Sequence, residues 1–374
     1  MKRINISQID TIFADGSYPI EFILFYKNKI ETGKISTALN ELSTSFWPIF
    51  GEYSNGEILF DKYCEDDYFN EEVIDQEFDK GETNQRIYEN YYQINSQNPG
   101  KLFFLKIIQY RNGTLLIPKM KHLAGDGYSY FYFLSALAEL TRNVSASTQN
   151  HLSNTLYLPF HNRTILKDFQ FSEKFVGLLP DDEDLLIEYV EIPRIEVRHI
   201  IADIASSKNQ KVSGNDILSA IVVKQMVEKQ KSCFGDDIQL SIPIDVRIQV
   251  KEYGQHYFGN ALMFQRINFK VTNIQNSDIK EIAIEIRKSM PLITKETYIK
   301  YLDSIENIIN KGQIDKLEPF DPMIGCLVTN LSQMPINKLN FGTGDPDLVF
   351  PLSIKKNSVA VLANRDNFIL IIAY

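Results

Sequence analysis

One short run in this 374-residue sequence combines residue types that can move a proton: His122-Leu123-Ala124-Gly125-Asp126-Gly127. A neutral imidazole with an unperturbed pKa of about 6.5 can take a proton from a hydroxyl or an amine near neutral pH. Gly125 and Gly127 let the backbone turn sharply and leave room for a substrate to approach. Asp126, four residues on, has two options. It could orient the imidazole, as the acid of a catalytic triad does, or it could face away and lock the loop through an ion pair. The spacing alone does not choose. The other histidines are His151, His161, His199 and His256. His151 and His161 lie in a polar stretch and His199 follows charged residues, so these read as structural or exposed. Their spacing fits no usual zinc pattern, and no metal is expected.

The flanking segments place His122 at a junction. Residues 102–110 are mostly apolar, Arg111-Asn112-Gly113 turns the chain, and 114–120 are mostly apolar again. Asn-Gly between two such runs predicts an antiparallel hairpin. Pro118 predicts a strand end or a sheet edge. After the motif, Phe131, Leu134, Leu137, Ala138 and Leu140 recur at helical spacing. The histidine therefore stands where a strand ends and a helix begins, a place from which side chains reach into clefts.

Elsewhere, Ile35, Leu39, Leu42 and Phe46 predict a helix over 35–46, which Pro48 forbids from continuing. The acidic stretch 65–80 reads as a solvated loop or helix face. Residues 143–194 are polar and include Asp181-Asp182-Glu183-Asp184, the pattern of a linker. Asn215 is the expected cap of a helix carrying Ile217, Leu218, Ile221, Val222 and Met226. Residues 237–245 alternate like a strand. Two amphipathic helices follow, one with Ile279, Ile282, Ala283 and Ile286, the other with Tyr298, Leu302, Ile305 and Ile309. Strand-like runs at 347–350, 358–362 and 368–373 close the chain. The mixture predicts an α/β (α+β) class with mixed sheets flanked by helices. It divides into a first domain over 1–150, a linker over 151–194 and a second domain over 195–374.

Composition narrows the function classes. With 44% hydrophobic and 23% charged residues the chain is globular. No apolar run approaches the roughly 18 residues that span a bilayer, so no membrane is expected. Met1-Lys2-Arg3-Ile4-Asn5 leads into polar residues instead of an apolar core, which argues against a signal peptide. Cys64, Cys233 and Cys326 read as free thiols, so a reducing, cytoplasmic setting is expected. A net charge of −9 gives no reason to bind nucleic acid.

His122-Leu123-Ala124-Gly125-Asp126-Gly127 resembles the HxxxDG motif of the BAHD acyltransferases and of the related condensation-domain and chloramphenicol acetyltransferase-like superfamily. Further segments resemble that family in its own order. Ile6-Ser7-Gln8-Ile9-Asp10 resembles "L-S-x-L-D", and Leu39 to Gly51, ending Trp47-Pro48-Ile49-Phe50-Gly51, resembles "L-x-x-x-L-x-x-x-x-P-L-A-G". Ile244-Asp245-Val246-Arg247 followed by Tyr257-Phe258-Gly259-Asn260 resembles "V-D-x-R … Y-F-G-N". Val328-Thr329-Asn330-Leu331 through Pro335 to Asn340-Phe341-Gly342-Thr343-Gly344-Asp345-Pro346 resembles "T-S-W … L-P … D-F-G-W-G-x-P". The anchors run from residue 6 to 346. Gly342-x-Gly344 lacks the third glycine and the preceding βα context of a dinucleotide loop, so that reading is set aside.

The resemblance implies two chloramphenicol-acetyltransferase-like domains with a channel at their interface. An acyl thioester such as acyl-CoA enters from one face and a small-molecule hydroxyl or amine acceptor from the other. It implies that His122 deprotonates the acceptor without an acyl-enzyme, that Asp126 pairs with Arg247, and that Thr329 stabilises the oxyanion. No cofactor is bound permanently; acyl-CoA is a co-substrate, met by Lys208, Lys211 and Ser213 near the second-domain helix. Asn340, Gly342 and Gly344 form a supporting turn, although Asn340 replaces the family's aspartate. Thr343 and Leu331 stand where tryptophans are usual, so two aromatic walls are expected to be missing. The chain is also shorter than a typical plant member, which implies trimmed loops and an altered acceptor pocket. The expected protein is a cytoplasmic, monomeric acyltransferase of specialised metabolism. A condensation-type enzyme using an acyl carrier protein is the alternative, although condensation domains commonly pair two histidines where Lys121 precedes His122. A catalytically silent binding protein on this fold is the third reading.

Overall fold

The computed structural model describes residues 1–16, 18–81, 84–91, 98, 100–143, 158–171, 185–230, 234–352 and 354–374. Its first large sheet has five strands, in the order Leu348–Pro351, Ile20–Tyr26, Gly113–Met120, Phe103–Tyr110, Phe69–Val73. The hairpin is there: Tyr110 pairs with Gly113 and Phe103 with Met120, so Arg111 and Asn112 form a two-residue connection. A side chain at Gly113 would meet the Tyr26 carbonyl oxygen at 2.0 Å, so only glycine lets the strand Ile20–Tyr26 come this close.

Pro118 departs from expectation, since its strand is central. The ladder to Ile20–Tyr26 holds at Met120 and Lys119, lapses, and resumes at Leu116. Proline has no N–H to donate, and the sheet accommodates it by dropping those pairs. Its carbonyl is satisfied by the Tyr130 hydroxyl at 2.8 Å. The acidic stretch 65–80 contains a short helix, Glu65–Tyr68, and then the edge strand Phe69–Val73, parallel to Phe103–Tyr110. Asn70, Glu71 and Glu72 give that strand a polar surface suited to an edge, which hides it from a hydrophobicity pattern. A small sheet of Lys2–Asn5, Glu57–Phe60 and Glu52–Ser54 stands apart.

The second large sheet has six strands, in the order Leu262–Lys270, Asp237–Asp245, Gly325–Asn330, Ser358–Ala363, Asn367–Ala373, Ile187–Pro193. Gly325–Asn330 runs parallel to both of its neighbours, and the remaining pairs are antiparallel. Helix Gly214–Lys229 covers one face, and Ile217, Leu218, Val222 and Met226 are fully buried. The cap is Ser213, not Asn215: its hydroxyl accepts from the Asp216 N–H, and Asp216 answers in a capping box. Asn215 instead accepts a hydrogen bond from Asn330 at 2.9 Å.

Strands and helices pair and pack across the three parts of the chain. Leu348–Pro351 belongs by sequence to the second half, yet it pairs with Ile20–Tyr26 in the first sheet, Leu348 opposite Phe25 and Pro351 opposite Phe22. It covers an edge that would otherwise expose unpaired backbone groups. Helix Lys295–Asn310 likewise buries Tyr298, Leu302 and Ile305 in the core around the first sheet. Within 151–194, Ile187–Pro193 is an edge strand of the second sheet, and the Arg163 side chain is buried although its neighbours Phe160 and Asn162 are exposed. Asp181-Asp182-Glu183-Asp184, His151 and Cys233 lie outside the described residues. Helix Thr32–Leu42 ends before the expected 46, and Pro48 sits in a separate 3₁₀ turn, Trp47–Phe50. Among the described residues no helix is long and apolar enough to cross a membrane.

Candidate active site

The strand Gly113–Met120 delivers the chain to a single 3₁₀ turn, His122–Ala124, and Asp126 then opens helix Gly127–Asn143. Phe131, Leu134, Leu137, Ala138 and Leu140 are all buried, so packing of that helix holds the turn in place. The His122 imidazole lies on the Phe13 ring, with centroids 3.7 Å apart and planes at 18°. Its Nδ1 is enclosed without a hydrogen-bond partner. The rest of the ring faces a cavity of about 190 Å³ between the two large sheets. Ile20, Phe22 and Pro351 line it from the first sheet, and Pro243, Asp245, Leu262, Thr329 and Ser358 from the second. The ring is partly accessible, yet surrounding protein still strips it of much of its water. That burial pushes the His122 pKa down to about 4; the Asp126 charge, the residue's own carbonyl, Asn260 and Asp10 pull weakly the other way. The ring is therefore neutral at physiological pH.

Asp126 does not hold the imidazole. Arg247 Nη1 donates to its Oδ2 at 2.8 Å and Nη2 to its Oδ1 at 2.9 Å. The Ala261 N–H adds a bond at 2.9 Å and the Ser129 N–H one at 3.0 Å, the latter a helix cap. Burial raises the carboxyl, but the guanidinium charge and these donors outweigh it and hold Asp126 below the usual carboxylate range. Arg247 is 5% exposed, packs over the Tyr128 and Tyr257 rings, and also donates to the Gly259 carbonyl at 3.0 Å. Asp245 accepts from the Arg247 N–H at 2.9 Å and faces the cavity.

Thr329 lies on strand Gly325–Asn330 and reaches the same cavity as His122, and no hydrogen bond among the described residues engages its hydroxyl. Leu331 also lines it, in place of a larger ring. Thr343 does not. The expected loss of aromatic walls is made good from other segments, since Phe13, Tyr18, Phe22, Tyr128, Phe131 and Phe264 all face the space.

Asn340, Gly342 and Gly344 lie elsewhere. The Asn340 amide oxygen accepts from the Gly342 N–H at 2.8 Å and the Gly344 N–H at 3.1 Å. Both glycines have φ of 101°, a region that disfavours other residues. The amide oxygen thus supplies the acceptor that both N–H groups need, without the charge a carboxylate would bring. Arg142, in the last turn of helix Gly127–Asn143, donates to the Asn340 carbonyl. The turn thus stands at the far end of a 17-residue helix, about 25 Å from its start beside His122.

Lys208 ends helix Arg194–Lys208 and Lys211 follows in the next loop; both are exposed and neither lines the cavity. Ser213 is different. Its hydroxyl is fully engaged by the Asp216 N–H at 3.3 Å, the Asp216 carboxylate at 2.9 Å and Arg287 at 2.7 Å. That hydroxyl can bind a ligand only by giving up one of these bonds. His161 is half-buried beside Trp47 and donates to the Ser45 carbonyl at 2.7 Å, a structural use. Among the described residues no group of three or more His, Cys, Asp or Glu side chains is disposed to hold a metal ion.

Sequence reasoning missed Phe13 and Arg163, which touch the turn His122–Ala124 from the first 3₁₀ helix and from the connecting segment. Neither stands in a motif of residues that titrate together, so no local pattern marks them.

Comparison with known proteins agrees over the whole length. The Transferase family matches residues 2–367. Among curated proteins none matches this chain in sequence. Among solved structures, the chain is similar to F. sporotrichioides TRI101 complexed with coenzyme A and T-2, with a TM-score of 0.75 and 13% identity over 99% of this chain and 94% of that one. It is similar to vinorine synthase, with a TM-score of 0.72 and 17% identity over 100% and 90%. The first condensation domain of the CDA synthetase shares the fold at a TM-score of 0.61 and 12% identity, over 100% and 90%. The fold alone is common to all three, and the family match over nearly every residue supplies what the fold does not: this chain belongs to the Transferase family, the BAHD acyltransferases, and is an acyltransferase.

Proposed function

We propose that the protein transfers an acyl group from acyl-CoA to a hydroxyl or amine of a small molecule, with His122 as general base. The observation that carries this reading is the pairing of a neutral imidazole and an unengaged Thr329 hydroxyl on one cavity, while Asp126 is turned to Arg247. Enclosure of Nδ1 leaves Nε2 as the nitrogen toward the substrate. The acceptor's proton passes to Nε2 as its oxygen or nitrogen attacks the thioester carbonyl. Thr329 donates to the oxyanion that forms. Collapse breaks the C–S bond, and the thiolate takes the proton back from the imidazolium, releasing free thiol. The low pKa keeps the ring unprotonated between turnovers, and the adjacent negative intermediate restores its affinity for the proton. The coenzyme A bound in TRI101 supports the donor assignment, and Lys208 and Lys211 are the cations we assign to its phosphates. Asn340, Gly342 and Gly344 support the helix from its far end. Acyl-CoA as donor fits action in the cytoplasm.

The test is release of free thiol from a panel of acyl-CoA donors with hydroxyl and amine acceptors, repeated with acyl groups on a carrier protein. Release only from the carrier would replace the CoA reading with a condensation-type one; release from neither would end both. Thr329→Val keeps shape and removes the donor. It is expected to lower kcat about 100-fold with little change in KM, by analogy with loss of one oxyanion donor. A change confined to KM would assign Thr329 to binding instead.

The pH profile offers a separate check. Since the free-enzyme pKa of His122 is lowered from 6.5 to about 4, the acid limb of kcat/KM is expected near pH 4, with no break between 6 and 8 from this group. An acid limb at an ordinary histidine value would show that the ring is solvated in the working enzyme.

A further inference from the structure

The turn His122–Ala124 presents three consecutive carbonyls, of His122, Leu123 and Ala124, and the turn's own backbone meets only the first, through the Gly125 N–H at 3.2 Å. Each has a buried donor. Asn260 Nδ2 donates to the His122 carbonyl at 2.8 Å, Arg163 Nη1 to that of Leu123 at 2.7 Å, and Arg163 Nη2 to that of Ala124 at 2.5 Å. Asp10 ties the donors together: Oδ1 accepts from Asn260 at 2.7 Å, and Oδ2 meets Arg163 Nη1 at 3.1 Å. Ser7 fixes the same carboxylate through its N–H at 2.7 Å and its hydroxyl at 2.9 Å.

We propose that Asp10, Arg163 and Asn260 are positioning residues that set the place of His122 in the cavity, an inference that rests on His122 being the base. Asp10 and Asn260 are wholly enclosed, and the Arg163 side chain is 0% exposed. None of the three lines the cavity, so none can touch substrate. The donors converge from residues 10, 163 and 260, and the turn cannot shift without breaking bonds to all three regions. A planar guanidinium is what the site requires, since two diverging N–H groups must meet adjacent carbonyls, which a single ammonium cannot do. The 3₁₀ helix Ile9–Phe13 serves twice. With three residues per turn, Asp10 and Phe13 stand on one face; Asp10 anchors the clamp while Phe13 stacks on the imidazole.

The test compares the intact enzyme with Arg163→Lys, which keeps the charge facing Asp10 but loses the fork. The expected result is a kcat about 10- to 100-fold lower, with KM for acyl-CoA little changed, as for a misplaced reacting group. A lowered Tm with wild-type kcat for the folded protein would show a merely structural role and overturn the proposal. If Arg163→Lys does not fold, Asn260→Ala decides, because it leaves the Asp10–Arg163 pair in place; loss of kcat at constant KM supports the clamp, and wild-type kcat overturns it. His122→Ala is run alongside. Activity retained there removes the base assignment itself, whereas an inactive His122→Ala with wild-type kcat in the decisive clamp variant removes only the clamp.

Discussion

His122→Ala is expected to lower the rate of thiol release from acyl-CoA by about 10²- to 10⁴-fold, the contribution of a positioned general base. The fold should survive. The imidazole sits at a cavity wall, and its enclosed Nδ1 has no partner, so truncation also removes an unsatisfied polar atom. That gain offsets part of the stacking on Phe13 that the shorter side chain gives up. Thiol release and thermal unfolding on the same preparation separate the two effects. Turnover unchanged from wild type would remove the general-base assignment; turnover lost together with the thermal transition would make His122 a packing residue.

Asp126→Ala should behave differently, because its first effect is on stability. Arg247 would stay enclosed with one carboxylate, Asp245, in place of two, and the Ser129 and Ala261 N–H groups would lose their acceptor. Breaking a buried ion pair by removing one partner costs about 3–5 kcal/mol. Loss of the helix cap adds about 1 kcal/mol. The activity that remains should follow the folded fraction, and denaturant unfolding measures it. Full loss of activity at unchanged stability would instead mean that Asp126 orients the imidazole directly. The geometry opposes that outcome, since both carboxylate oxygens already face Arg247.

The hairpin and the helix behind His122 were legible because they obey local rules. Asn112-Gly113 demands a tight turn, and the apolar spacing of Phe131, Leu134, Leu137, Ala138 and Leu140 demands a buried helical face. The edge strands Phe69–Val73 and Ile187–Pro193 escaped because edges tolerate charge, and Glu71, Glu72, Glu188 and Glu191 break the apolar pattern. Pro118 misled for a related reason: a missing N–H rules out one ladder bond, and a sheet can leave that bond unmade. The capping role of Ser213 was not legible because Asn215, two residues on, is an equally good cap in sequence, and the turn of the chain into Gly214–Lys229 selects between them.

The sequence by itself determined the residue types that can do the chemistry, their order along the chain and the family they resemble. It also determined that His122 would stand between a strand and a helix, since turn chemistry and periodicity act over a few residues. Spacing left open what Asp126 does, and the resemblance pointed to Arg247. The tertiary structure supplies the contact, bringing Arg247 within hydrogen-bond reach from 121 residues away. It likewise decided which side chains share a cavity, which wall is aromatic, and that Arg163 grips the turn His122–Ala124 from a stretch that reads as linker. The physical reason is common to all of these. A local propensity is a property of neighbours in the chain, whereas the pKa of His122 and the partner of Asp126 depend on burial and on charges supplied by segments far apart in sequence.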